Sequence, residues 1–196
     1  MNFLAHLHLS GNNNNIKIGN FIGDAVKGKS YENYAPDIQK GILLHRKIDY
    51  FTDKHEITKD LCKLFAEKYR KYSGIVVDIM YDYFLANDWE KYSNQQLEHY
   101  ILDTHRLLMG NFGMLPFKVK KFLPFLISRN RLLSYRSIEG IESVLNAMAR
   151  YTSLPQHTNF AIDILQSKNQ FLKENFHVFY AEIIGFAENE LESSQA

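Results

Sequence analysis

The stretch GILLHRKIDYFTDKH, Gly41–His55, sets polar groups at every fourth position: His45, Asp49 and Asp53, with Arg46 beside the first. Residues four apart lie one turn above each other on one helical face. The other side carries Ile42, Leu43, Leu44, Ile48, Tyr50 and Phe51. The pattern predicts a helix whose polar row runs beside a packed core. An imidazole and carboxylates at this spacing suit two arrangements: a shared divalent cation, or a hydrogen-bonded ladder of ion pairs.

A second stretch bears on that choice. Ser73–Asn87, SGIVVDIMYDYFLAN, is apolar nearly all round if helical, which is the signature of an interior helix. Asp78 and Asp82 sit in it, again four apart. A buried ionised carboxylate without a partner costs several kcal/mol or takes up a proton, so the pair calls for a cation. Arg46 or Arg70 could supply one; so could a metal. Two helices with the same device favour the metal, and oxygen donors with imidazole suit Mg²⁺ or Mn²⁺.

Gly19–Gly28, GNFIGDAVKG, contributes Asp24. It reads either as a solvated residue on an amphipathic helix or as a further ligand or general base, with nearby glycines allowing close packing or close substrate approach. The opening segment MNFLAHLHLS holds His6 and His8, which share a face on a strand but not on a helix. Each suits a ligand role or that of a satisfied core histidine. Cys62 has no histidine partner at recognisable spacing and reads as packing.

Further out, only four prolines and ten glycines interrupt 196 residues, and helical periodicity dominates. Helices are expected over about 16–28, from Pro36 at a first-turn position, and over 56–71, 74–88, 94–110 and 137–152. A basic apolar segment around Pro116 and Pro124 is expected in two helical pieces, and one long helix over 157–190. Only Phe3–Leu9 has any strand-like alternation. The expectation is an all-α, compact multi-helix single domain over 1–196.

Composition narrows the function. A net charge of +1 gives no global attraction to nucleic acid or membrane. The single cysteine suits a reducing compartment. The first residues lack a basic n-region, so no secretory signal is expected, and no apolar run reaches the length of a membrane span; a cytoplasmic protein is expected. Phosphate-binding glycine loops, HExxH, nucleophile elbows and CxxC pairs are absent. Metal-assisted hydrolysis is what remains. One segment is lopsided: no acidic residue falls between Asp103 and Glu139, while Arg106, Lys118, Lys120, Lys121, Arg129, Arg131 and Arg136 do, interleaved with Phe117, Phe122 and Phe125. It reads as a solvated face or as a docking surface for an acidic partner.

Five stretches in order, MNFLAHLHLS, GNFIGDAVKG, GILLHRKIDYFTD, the run from Asp78 through Asp82-Tyr-Phe-Leu-Ala, and YRSIEGIESVLNAMARY, together resemble the acyl carrier protein phosphodiesterase family. The resemblance runs from Met1 to at least Tyr151. It implies a divergent HD-domain-like fold and hydrolysis of the phosphodiester that joins 4′-phosphopantetheine to a serine of holo-acyl carrier protein, with Mn²⁺ (or Mg²⁺). It matches His45, Asp49, Asp78 and Asp82 as metal ligands. Asp24, Arg46 and either His6 or His8 are the catalytic candidates, with Arg46 neutralising a phosphate oxygen. The acidic carrier protein suits docking on Lys118, Lys120, Lys121, Arg129, Arg131 and Arg136, with no nucleic-acid or membrane partner. The family motif typically reads Asp-His-Phe-Leu where this chain has Asp82-Tyr83-Phe84-Leu85. Tyrosine, with a pKa of about 10, does not simply replace that histidine. The alternatives are an HD-like phosphohydrolase acting on a nucleotide or other small phosphoester, and a non-catalytic helical module that binds carrier protein.

Overall fold

The computed structural model describes residues 1–193, and those residues form helices and turns with no strand among them. The first helix, α1 (Phe3–His8), is short and buried. Phe3–Leu9 is therefore helical rather than extended. Its free N–H groups explain why: Asn2 accepts from Phe3, and both oxygens of buried Asp82 accept from Leu4 and Ala5, at 2.8 and 3.0 Å. A carboxylate at a helix N-terminus satisfies orphan donors and complements the dipole.

The Asn run supplies the next start. Asn13 caps α2 (Asn14–Ile22) by accepting from Asn15 and Ile16. That helix stops earlier than its periodicity suggests and tightens into a 3₁₀ turn, Gly23–Ala25, which turns Asp24 out of the helix. Pro36 opens α3 (Pro36–Lys54), as its fixed φ favours. Helices α2 and α3 cross at the backbone: a methyl on Gly19 would meet the Ile38 carbonyl oxygen at 2.1 Å, and one on Gly41 the Ile16 oxygen at 2.1 Å. Only glycine on both sides permits this approach.

His55 ends α3 and caps α4 (Glu56–Tyr69), accepting from Ile57 at its Nδ1. After a 3₁₀ turn comes α5 (Ser73–Asn87), apolar around its circumference and central, with α1, α4, α9 and α11 packed on it. α6 (Leu97–Gly110) leads to α7 (Phe117–Ser128), which continues through Pro124. The expected break falls later, at Asn130 in the left-handed region (φ 44°), before the short α8 (Arg131–Ser134). α9 (Ile138–Tyr151) is capped by Ser137. The expected single helix over 157–190 is two: α10 (Thr158–Ser167) and α11 (Asn169–Ser193), interrupted at Lys168. Helix α11 lies against α3, α4 and α5 and closes the core with Phe176, Phe179, Tyr180 and Ile183. No helix is long and apolar enough to cross a membrane among the described residues.

Candidate metal centre

The crossing of α1, α2 and α3 brings His6 and His45 face to face, ring centroids 4.0 Å apart and planes 21° apart. Asp49, one turn beyond His45 on α3, reaches both. Its Oδ1 lies 3.1 Å from His6 Nε2, and its Oδ2 lies 3.2 Å from His45 Nε2. One ligand atom from each of the three falls within 4.8 Å of the others, which makes them a possible metal site.

The surroundings decide how the rings present themselves. The Asn20 amide nitrogen donates to the His6 carbonyl and to Ser10 Oγ, both at 2.9 Å. Its Oδ1 is thereby the acceptor toward His6 Nδ1, at 2.8 Å, and Nδ1 carries the proton. The other nitrogen, Nε2, then faces two acceptors, the Met1 carbonyl and Asp49 Oδ1, each at 3.1 Å. A neutral imidazole offers only a lone pair there, so that position is made for a positive species: a second proton or a metal ion. Burial, followed by the charge of His45, pushes His6 down to about 4, which argues against the second proton near neutrality. His45 is buried too; its Nδ1 has no hydrogen-bond partner among the described residues, and its Nε2 faces the Asp49 and Asp24 carboxylates at 3.2 and 3.7 Å. Burial opposes its charge, but Asp24 and Asp49 outweigh that and raise it to about 9. Asp49 is held well below the carboxylate range: burial would raise it, and the two imidazoles and the Met1 ammonium prevail. A metal ion between two imidazoles and a carboxylate fits both the carboxylate-facing Nε2 of His45 and the acceptor-facing Nε2 of His6, and would have to displace the His45 proton.

Gly23 makes room for the ring. A methyl there would sit 2.3 Å from His45 Cγ and 2.5 Å from its Cβ. On the open side stands Asp24, with 76% of its side chain exposed and Oδ1 3.7 Å from His45 Nε2. His45 first, and other charges after it, keep Asp24 ionised. Asp49 is also solvent-facing, at 40% side-chain exposure, whereas both imidazoles are nearly covered. The centre therefore opens to solvent between Asp24 and Asp49.

The remaining candidates are placed elsewhere. Because α1 is a helix, His8 points away from His6. Its Nε2 donates to the Tyr92 carbonyl (3.1 Å), and its Nδ1 accepts from Tyr180 Oη (2.9 Å). Arg46 does not face the centre with a free fork. It donates to the Val26 and Gly28 carbonyls at 3.0 and 2.8 Å and stacks 5.3 Å over Tyr31, tying down the loop after Asp24. Asp78 Oδ1 lies 3.0 Å from the Met1 amino nitrogen, which is itself 3.6 Å from Asp49. It borders the centre through that nitrogen. Asp82 has both oxygens committed to α1; burial, against those two N–H groups, raises it to about 7. Of the four expected ligands, His45 and Asp49 stand together with His6, whereas Asp78 meets the Met1 nitrogen and Asp82 the N-terminus of α1. Asp53 is exposed. Tyr83 is half-buried with its ring against Phe84, outside the His6–His45–Asp49 group.

Of the basic segment, Lys118, Lys121, Arg129 and Arg136 are exposed, while Lys120 and Arg131 are half-buried. Lys120 donates to the Gly113 carbonyl, Arg131 to Ser143, and Arg136 pairs with Glu98. Helix α7 reaches the centre's flank through Phe122, which packs on Phe3 and Phe21. Asn20 and Gly23 are the residues that residue-pattern reasoning passes over as site residues. Both lie in the quoted GNFIGDAVKG stretch, where an asparagine in an apolar run is the one visible signal.

A model of the family described as acyl carrier protein phosphodiesterase matches residues 1–183. A protein of that name from Photorhabdus laumondii is 34% identical over 151 residues, 76% of each chain. One from Yersinia pestis is 28% identical over 190 residues, 96% of this chain and 98% of the relative. One from Salmonella paratyphi A is 30% identical over 188 residues, 95% and 97% of the two chains. No solved structure matches. A family match over residues 1–183, together with relatives aligned over 76% to 96% of this chain, means that this chain belongs to the acyl carrier protein phosphodiesterase family.

Proposed function

We propose that the protein is a metal-dependent phosphodiesterase that hydrolyses the diester between 4′-phosphopantetheine and the serine of holo-acyl carrier protein. The products are apo-carrier protein and 4′-phosphopantetheine. Family membership supports the reaction; the observation that carries the site is the convergence of His6, His45 and Asp49, with one ligand atom of each within 4.8 Å of the others. His6, His45 and Asp49 would hold the cation, with Asp24 at its open edge. The oxygen and imidazole donors suit Mn²⁺ or Mg²⁺. A divalent ion bound there supplies Lewis acidity toward a phosphoryl oxygen and a more acidic water.

The chain's own groups do the rest. Asp24, ionised and exposed, accepts a hydrogen bond from the attacking water and orients it toward phosphorus. The water oxygen forms the new bond to phosphorus and releases a proton to solvent past Asp24, the bond from phosphorus to the serine oxygen breaks, and that oxygen leaves with a proton from the open, solvated side. Asn20 holds the His6 tautomer. Asp82 holds α1, and with it His6, in place. The exposed Lys118, Lys121, Arg129 and Arg136, supported by Lys120 and Arg131, would dock the acidic carrier protein beside the opening. Residues 1–196 would act as one HD-like unit in the cytoplasm.

The test incubates purified protein with holo-carrier protein and Mn²⁺ and follows the carrier by mass. Loss of the prosthetic group, abolished by chelation, is expected. No conversion at any metal concentration contradicts the assignment.

A further inference from the structure

Beside Asp24 the loop Ala25–Ala35 and the segment Met114–Pro116 enclose an open cleft of about 630 Å³, a size typical of small-molecule sites. We propose that this cleft receives the pantetheine arm of the substrate, with the diester phosphate at the Asp24–Asp49 opening. The proposal rests on the phosphodiesterase reading and names where its leaving prosthetic group is bound.

Three observations carry it. The cleft neighbours the reacting centre along the chain: Ala25 and Val26 line it and directly follow Asp24, whose Oδ1 is 3.7 Å from His45 Nε2. Its wall is fixed by the helix that bears the centre, because Arg46, next to His45, holds the Val26 and Gly28 carbonyls. A displaced wall would therefore be felt at α3, and the two sites keep a constant spacing. Finally, the lining suits an uncharged chain of alternating character. Val26, Met114 and Pro116 offer apolar surface for the geminal methyls and methylenes, and Ser30 and Asn33 offer partners for two amides. Lys27, three residues after Asp24, supplies the one charged group among these lining residues.

Phe117, 73% exposed, and Lys118 stand just beyond Pro116 at the start of α7. The carrier protein's proposed surface thus adjoins one end of the cleft.

The experiment fills the cleft. Ala35 is exposed on its rim, outside the reacting centre, so Ala35→Trp is expected to fold, which thermal melting checks. Wild type and variant are assayed with Mn²⁺ on holo-carrier protein and on bis(p-nitrophenyl) phosphate, a diester with no arm. The ratio of kcat/KM for holo-carrier protein to that for the small diester is expected to fall by about tenfold or more, roughly 1.4 kcal/mol. Free pantetheine is expected to compete with holo-carrier protein in the wild type and to compete more weakly in the variant. An unchanged ratio with unchanged competition overturns the cleft assignment while leaving the phosphodiesterase intact. Wild type inert toward holo-carrier protein but active on the small diester overturns the substrate on which the cleft assignment rests.

Discussion

The imidazoles of His6 and His45 stack at 4.0 Å, and Asp49 bridges the same two rings with its two oxygens. Two protonated rings so close would repel, and the site avoids this by keeping His6 neutral and charging only His45. Replacing His45 with alanine removes one donor and the partner of both carboxylates. His45→Ala is expected to lower kcat/KM by on the order of 100-fold or more, about 2.7 kcal/mol, and to weaken Mn²⁺ binding in parallel. Titration calorimetry and steady-state kinetics on the same preparation check the pairing of the two losses.

Asn20 touches no solvent, yet it decides which nitrogen of His6 faces Asp49. Asn20→Ala leaves the His6 and Ser10 groups without their partner. Groups behind a ligating histidine typically matter 10–100-fold in metal affinity. A loss in that range is expected for Mn²⁺, together with a destabilisation of about 1–3 kcal/mol from unmet buried groups. Chemical denaturation gives the second figure independently of activity.

Two glycines should fail in different ways. Gly23→Ala puts a methyl 2.3 Å from His45 Cγ and must shift the ring, so activity is expected to fall far more than stability. Gly41→Ala drives a methyl 2.1 Å from the Ile16 carbonyl oxygen, where backbone must move. Such overpacking costs about 1–3 kcal/mol or more, so the melting temperature is expected to fall. Comparing melting temperature with kcat/KM for the two variants separates the effects.

The pH dependence of stability has a source away from the centre. Asp88, with 11% of its side chain exposed, lies 3.0 Å from Lys173 and 3.1 Å from His177 of α11. Burial would raise its carboxyl, but Lys173, Lys91 and His177 outweigh burial and hold it below the ordinary value. A depressed carboxylate stabilises fully above its unfolded pKa of about 3.9 and loses this as pH falls through the lower folded value. Lys173→Met is expected to cost about 1 kcal/mol at pH 7 and almost nothing near pH 2. Urea midpoints across that range report the convergence.

Charge reversal tests the docking face. Lys118 and Lys121 are exposed at the start of α7, with Lys121 over Phe117 at 4.7 Å. The double variant Lys118→Glu/Lys121→Glu is expected to raise KM for holo-carrier protein about tenfold at low salt, with the difference shrinking as salt screens the surface. An unchanged KM would place the carrier protein elsewhere.

Local periodicity made much of this visible. The row His45–Asp49 on α3 and the all-apolar face of α5 follow from the spacing of residues along a helix, and both survive in the structure. What local spacing does not carry is which buried donor a carboxylate meets. Asp82 was legible as a buried acid needing compensation, but its compensation is two backbone N–H groups of α1, distant in sequence. The same contact makes Phe3–His8 a helix and sends His6 and His8 in different directions. Arg46 was legible as a cation beside the centre; its commitment to the Val26 and Gly28 carbonyls depends on a loop conformation. The breaks at Asn130 and Lys168 likewise fall at residues that are not proline.

The most direct measurement is anomalous scattering from crystals grown with Mn²⁺. A peak bounded by His6 Nε2, His45 and Asp49, lost in His45→Ala, is the predicted result. A peak held instead by Asp78 and Asp82, or no peak at saturating Mn²⁺ in crystals of active enzyme, would contradict the assignment of the centre.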